Sequence, residues 1–162
     1  MKHELASDFK PLPGEATFPP TIEQEVVGGT HIAPECVLKK GQTFFMTVWP
    51  TGLPRHETTR TVRFPHGLIR FGETIEICAQ RLVHAQIGLK VEEVRVLKID
   101  SYLDDKNHWH IEPILLVEAS GDPTPPDEAG GYVTFQGTAL PQGAVWGQES
   151  FARLVNTYIF PR

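Results

Sequence analysis

The sequence is poor in cysteine, in long apolar runs and in concentrated positive charge. Its two cysteines, Cys36 and Cys78, lie far apart and neither has a CxxC neighbour. Free thiols in a reducing cytoplasm are therefore expected rather than a disulfide. No stretch reaches the roughly 20 apolar residues that a membrane helix needs. The opening residues Met1-Lys2-His3-Glu4-Leu5 are polar and no apolar run follows them, so a signal peptide is not expected either. The formal net charge is −5 and the basic residues are scattered. A nucleic-acid backbone calls for a clustered Lys/Arg face, which removes nucleic acid from the expected partners. Internal repeats and low-complexity tracts are also absent.

What is present suits one domain with one core, since 162 residues falls in the usual size range for a domain. Residues 1–20 carry Pro11, Pro13, Gly14, Pro19 and Pro20 and read as an extended arm that wraps the domain or helps a partner subunit pack. The domain itself is expected over residues 21–162. Phe44 to Trp49 reads as a buried strand closed by a Pro50-Thr51-Gly52 turn. Thr59 to Phe64 alternates Thr/Arg with Val/Phe, as a half-buried strand does. Over residues 74–87 the period changes. Ile75, Cys78, Ala79, Leu82, Val83 and Gln86 recur at three- and four-residue spacing, the stripe of an amphipathic helix. Thr74 is its expected N-cap, and Gly88 its stop. Strands follow over Val91 to Ile99 and Ile111 to Glu118, with a polar hairpin tip at Asp104-Asp105-Lys106-Asn107. The Pro-rich loop Gly121 to Gly131 is expected to be exposed and mobile. A closing helix over Gln148 to Phe160 places Phe151, Leu154, Val155 and Ile159 on one face. Strands then helix, twice over, describe an α/β fold with helices covering a mixed sheet.

The segment from Pro65-His66-Gly67 through Gly72-Glu73 and Arg81-Leu82-Val83-His84-Ala85-Gln86 to Gly88-Leu89 carries the most specific signal. It resembles the Nudix box: a Gly, five residues, a Glu, seven residues, then Arg-Glu-apolar-x-Glu-Glu-x-Gly-apolar. Gly67, Glu73, Arg81, Val83, Gly88 and Leu89 all fall in register across 23 residues. The resemblance implies the Nudix fold, an α/β/α sandwich around a mixed β-sheet. It further implies a hydrolase of nucleoside-diphosphate-linked metabolites that uses Mg²⁺ or Mn²⁺. Several Glu residues on one helix face would hold the cation through hard oxygen ligands, together with substrate phosphate oxygens.

This chain departs from that pattern at the carboxylates. The three helix glutamates of the family fall on Leu82, Ala85 and Gln86. Glu73 survives, with Arg81, which in the family tends to hold the box together by an ion pair. Leu82 and Ala85 offer no ligand atom, and Gln86 only a neutral carbonyl oxygen. The run Arg81-Leu82-Val83-His84-Ala85 looks like the box of GDP-mannose mannosyl hydrolases, which also carry Leu and Ala there but keep the last Glu. The resemblance thus leaves Glu73 and Gln86 as the expected metal ligands of a degraded site. It points to a nucleotide sugar as the ligand class, with a homodimer expected.

Other residues offer compensation. His108, His110 and Glu112 alternate at spacing two, which puts them on one strand face beside Asp104 and Asp105. From this group His110 and Glu112 are expected as base or further ligands, with Glu73 completing the catalytic set. The bland alternative is a solvent-facing strand edge. Arg63 and Arg70, from the basic series Arg55, Arg60, Arg63, Arg70, would line an anionic pocket or else a solvated strand face. His84, on the helix's polar side, would serve as ligand or base or be an ordinary exposed residue. Glu76 suits a first-turn acid. Trp49, Phe71, Trp109 and Trp146 are expected in the core. Two functions follow: a metal-assisted nucleotide-sugar hydrolase of weak activity, or a catalytically inactive Nudix-fold module that binds a ligand or a partner.

Overall fold

The computed structural model describes residues 30–49, 61–70, 72–103, 109–127 and 130–161. Among these residues, seven strands form one mixed sheet: β1 (Thr30–Ile32), β2 (Glu35–Lys40), β3 (Thr43–Trp49), β4 (Thr61–Arg63), β5 (Lys90–Leu103), β6 (Trp109–Ser120) and β7 (Tyr132–Gln136). Two helices cover it, α1 (Ile75–Ile87) and α2 (Gln148–Leu154), the second running on into one π-helical turn at Val155–Ile159.

β6 is the axis of the sheet. Antiparallel β5 lies along one edge of it, while β1 and β2 pair with it in parallel. β3 then joins the hairpin β2–β3 to the rest. Thr43 pairs with both Lys40 and Gln136, and Thr47 with both Arg63 and Tyr132. β7 therefore occupies one edge of β3, and β2 and β4 share the other. Just past β4 the chain crosses to β2, where His66 bridges Glu35 and the Cys36 N–H donates to the Pro65 carbonyl at 2.8 Å.

The period-two alternation of the central strands sends side chains to two opposite layers. Cys36, Leu38, Phe45, Leu115 and Val117 face α1, where they meet Ala79, Leu82, Val83 and Ile87. Val37, Phe44, Met46, Ile114 and Leu116 face the other way, against Phe151, Leu154 and Val155. Each large side chain sealed in these layers contributes roughly 1.5–3 kcal/mol. The expected α/β/α sandwich is thus what the chain forms.

α1 begins and ends where its caps require. Thr74 accepts a hydrogen bond from the Ile77 N–H at 3.3 Å. Gly88 takes the left-handed conformation at φ 79° and donates back to Val83 and His84. A Cβ on Gly88 would collide with Thr124, whose N–H donates to the Ile87 carbonyl at 2.7 Å. The Pro-rich loop expected to be mobile is therefore fastened to the end of α1 at Thr124. The two thiols remain free but are not remote in space: Cys36 and Cys78 are buried in the same core layer.

Three sequence readings need correction. β6 is an interior strand, not a solvent-facing edge, because β5 and β1/β2 flank it on both sides. Trp109, expected in the core, is 49% exposed at the start of β6. β7 was not foreseen. The arm 1–20, Asp104, Asp105, His108, Phe71, Arg55 and Arg60 lie outside the described residues.

Candidate functional site

The box folds as a latch across α1. Gly72 at φ 82° turns the chain so that the Glu73 N–H donates to the Arg70 carbonyl at 3.0 Å. Arg81, two turns into α1, then reaches back. Its Nε donates to Glu73 Oε1 at 2.6 Å and its Nη2 to Oε2 at 2.7 Å, the two-pronged geometry that strengthens an Arg–carboxylate pair. Oε2 also accepts the Arg70 N–H at 2.8 Å. Arg81 Nη2 also donates to the Leu68 carbonyl at 2.9 Å and to Cys78 Sγ at 3.5 Å. Hydrogen bonds from Arg81, with the Arg70 N–H adding to them, hold the Glu73 carboxyl below its ordinary range against a modest opposing effect of burial.

Gln86 fastens the other end of the same loop. Its Nε2 donates to the His66 carbonyl at 2.7 Å and its Oε1 accepts the His66 N–H at 3.3 Å. The side chain is buried, so this amide works as a short stretch of strand edge turned inward. Leu82 belongs to the core beside it. Both ends of the loop from His66 to Glu73 are thus tied to one helix.

Through His66 the latch adjoins a cleft of about 440 Å³ on the sheet, between β2, β4, β5, β6 and the segment before α2. Glu35, Arg63, Tyr102, Glu112 and Trp146 are among its walls. Glu35 is 7% exposed, and its Oε1 has no hydrogen-bond partner among the described residues. Burial pushes its carboxyl up to about 7, against the opposing effects of Arg63 and a hydrogen bond with Trp146, while Glu112 adds to the rise. Tyr102 donates to Glu112 Oε1 at 3.1 Å, and its ring stacks on His110 at 4.8 Å with a 4° angle. His110 is buried and lies 5.1 Å from the His31 ring. Arg63 sits 5.7 Å over Trp49, which in turn lies 4.9 Å from the His66 ring.

The sequence-predicted residues thus fall in three places. Arg63 and Glu112 line the cleft, with His110 stacked just behind its wall. Glu73 and Gln86 belong to the latch, and Arg70 contributes its backbone N–H there. His84 is exposed on the far side of α1, beside a separate hollow with Gln80, Gly88 and Lys90. Trp146 packs edge-on against Phe64 and Phe151, as a core residue does, and also lines the cleft. Glu35 and Tyr102 were missed. Glu35 follows Pro34 alone, with no neighbour to mark it, and Tyr102 sits at the end of a polar strand.

The family model for the NUDIX domain matches residues 33–154. The chain belongs to that family. Its mixed sheet and the two helices described on it are those of the Nudix fold. Among solved structures, a MutT NUDIX hydrolase from Burkholderia pseudomallei is similar at a TM-score of 0.61 and 17% identity, covering 78% of this chain and 98% of that one. A NUDIX hydrolase from Nitrosomonas europaea is similar at 0.55 and 12% identity, covering 66% and 72%. No curated protein matches the chain. At these identities the structures speak for the fold, and Nudix hydrolases in general use divalent metals. Among the described residues, no three His, Cys, Asp or Glu side chains gather as a metal site.

Proposed function

We propose that this Nudix domain is a ligand-binding module that takes a nucleoside-diphosphate-linked small molecule, such as a nucleotide sugar, into the cleft beside its box. In this reading the box is a structural latch. The observation that carries it is the engagement of Gln86 and Glu73. Mg²⁺ favours an octahedron of oxygen ligands supplied largely by carboxylates. Here one carboxylate is bound at both oxygens by Arg81, the amide is bound at both ends by His66, and Leu82 and Ala85 have no side-chain oxygen to give. That donor set does not fit the metal of an ordinary Nudix site. Arg63 supplies positive charge at the cleft for an anionic ligand, Lys98 there being paired with Asp100, and Trp146 and Tyr102 supply flat surfaces for a ring.

The alternative is a weak metal-assisted hydrolase with Glu73 and Gln86 as ligands and His110 or Glu112 as base. It would have to pull Glu73 away from Arg81 and Gln86 away from His66, which leaves buried polar partners unpaired. The discriminating experiment is a thermal-shift titration with nucleotide sugars in EDTA, then with Mg²⁺ or Mn²⁺, while product formation is followed. Any ligand that binds only the native state raises the melting temperature by mass action. A rise in EDTA without product supports the binding module. Metal-dependent turnover that disappears in Glu73→Gln contradicts it.

A further inference from the structure

β5 is a long strand with one side open. It pairs with β6 from end to end, and among the described residues no strand joins its outer edge. Such an edge is a template for another strand, and proteins usually blunt it with charges and bulges. β5 carries both, but in an order that mirrors itself about Arg95. Its pairing with β6 shifts between Val91 and Glu93 and again between Val96 and Lys98, so Glu92 and Leu97 are the extra residues. The same register assigns the faces. Val91, Val94, Val96 and Ile99 lie on the α1 side of the sheet. Lys90, Glu93, Arg95, Lys98 and Asp100 lie on the α2 side. Glu92 joins that second face through its ion pair with Lys90 and its bond from the Ser120 hydroxyl, and Leu97 through the core layer under α2.

We propose that β5 pairs antiparallel with β5 of a second copy of this chain, about a two-fold axis at Arg95, joining the two sheets edge to edge. In that register Lys90 meets Asp100 and Glu92 meets Lys98, and symmetry makes each pair twice. Each strand already joins Lys90 to Glu92 at 3.1 Å and Lys98 to Asp100 at 2.5 Å. Pairing closes these into two quartets of alternating charge, and networks of that kind contribute more than isolated surface pairs. On the other face Val91 meets Ile99 and Val94 meets Val96. Val96 and Ile99 are 46% and 62% exposed in the single copy. The doublet Glu92-Glu93 faces the doublet Lys98-Leu97, so the irregularities oppose each other and every paired residue shares a face with its partner. An axis between residues would set the apolar face of one strand against the charged face of the other. An axis at Val94 would set Lys90 against Lys98, and one at Val96 would set Glu92 against Asp100. Arg95 meets its own counterpart, with its guanidinium drawn aside to the Tyr158 carbonyl at 2.9 Å. Because Lys98 and Asp100 also line the cleft, the second copy brings its Lys90 to the cleft's rim. The pairing does not depend on what the cleft holds.

Sedimentation velocity of the intact chain over a range of concentrations reads the association, and a dimer is expected. Glu92→Lys and Lys98→Glu each turn two attractions into two repulsions and should weaken the dimer at least about tenfold. Mixed in equal amounts, the two variants should dimerise with each other, because each reversed charge then meets its opposite. Arg95→Cys should cross-link to itself under mild oxidation, while Val96→Cys, which faces Val94, should not. The cysteine variants leave the four paired charges in place, so their result stands even where a charge reversal unfolds the chain. A parent that stays monomeric overturns the inference. So does a dimer that survives both single reversals, or an Arg95→Cys that cross-links no better than Val96→Cys.

Discussion

The latch and the cleft lie side by side, joined through His66, and they treat polar groups in opposite ways. In the latch, both oxygens of Glu73 and both ends of the Gln86 amide are bound within the protein. In the cleft, the more deeply buried carboxyl of Glu35 keeps one oxygen without a partner among the described residues and is pushed up to about 7. A polar network closed on itself stabilises and orients; an open one leaves chemistry for something else to complete. Glu73 and Gln86 are thus tied to Arg81 and His66, while the unmatched oxygen among the described residues lies on a neighbouring wall.

The comparison breaks most sharply if the two carboxylates respond alike to neutralisation. Glu73→Gln should destabilise the protein by about 2–4 kcal/mol in urea unfolding at pH 7, because Arg81 is then left partly buried without its counter-charge. Its carboxyl is lowered by Arg81, so this contribution is fully present above the unfolded-state value near 4.5 and is lost as pH falls through the lower folded value. Glu35→Gln should do the opposite. Its folded value near 7 lies above the unfolded 4.5. The protein therefore bears the penalty of ionising Glu35 in full above pH 7 and loses it as pH falls toward 4.5. Neutralising it should stabilise the ligand-free protein by on the order of 2–3 kcal/mol at pH 8, and by much less at pH 5. Equal stability of Glu35→Gln and the parent at pH 8 would remove the contrast.

A smaller effect sharpens the account of the latch. Gln86→Glu sets an acceptor against the His66 carbonyl where Nε2 now donates. We expect a loss of about 1–3 kcal/mol at pH 7, read from the urea midpoint. Gly88→Ala should lower the stability read from the same midpoint by at least about 1 kcal/mol, since Ala is strained at positive φ and its Cβ would strike Thr124.

Much of the scaffold was legible because it rests on local chemistry. The stripe from Ile75 to Ile87, the hydroxyl of Thr74 and the left-handed Gly88 define α1 at both ends, and each signal acts within a few residues of itself. β5 and β6 run longer than the apolar alternation indicated, out to Leu103 and back from Trp109, because pairing along the hairpin holds residues whose side chains remain exposed. β7 was hidden because Tyr132–Gln136 is short, with side chains only part buried, and stands between glycine-rich turns. What turns it into a strand is the free edge of β3, which sequence spacing does not display.

The site was less legible for the same reason. Box spacing located Glu73, Arg81 and Gln86 but not what they bond to. Gln86 reads as a weakened ligand in sequence and as a backbone clamp once His66 is folded against it. His84 shares α1 with them and faces away. Glu35 is an ordinary acid after a proline in the sequence, and only the pairing of β2 with β6 and the bridge to His66 carries it below the surface.

The most direct test of the latch is a Mn²⁺ titration followed by the electron paramagnetic resonance signal of the free aqueous ion, with the parent protein and Glu73→Gln side by side. The account predicts that neither protein diminishes the signal beyond nonspecific surface binding, and that the two titrations superimpose. Stoichiometric loss of the signal with the parent, abolished by Glu73→Gln, would contradict it and return the box to the role of a metal site.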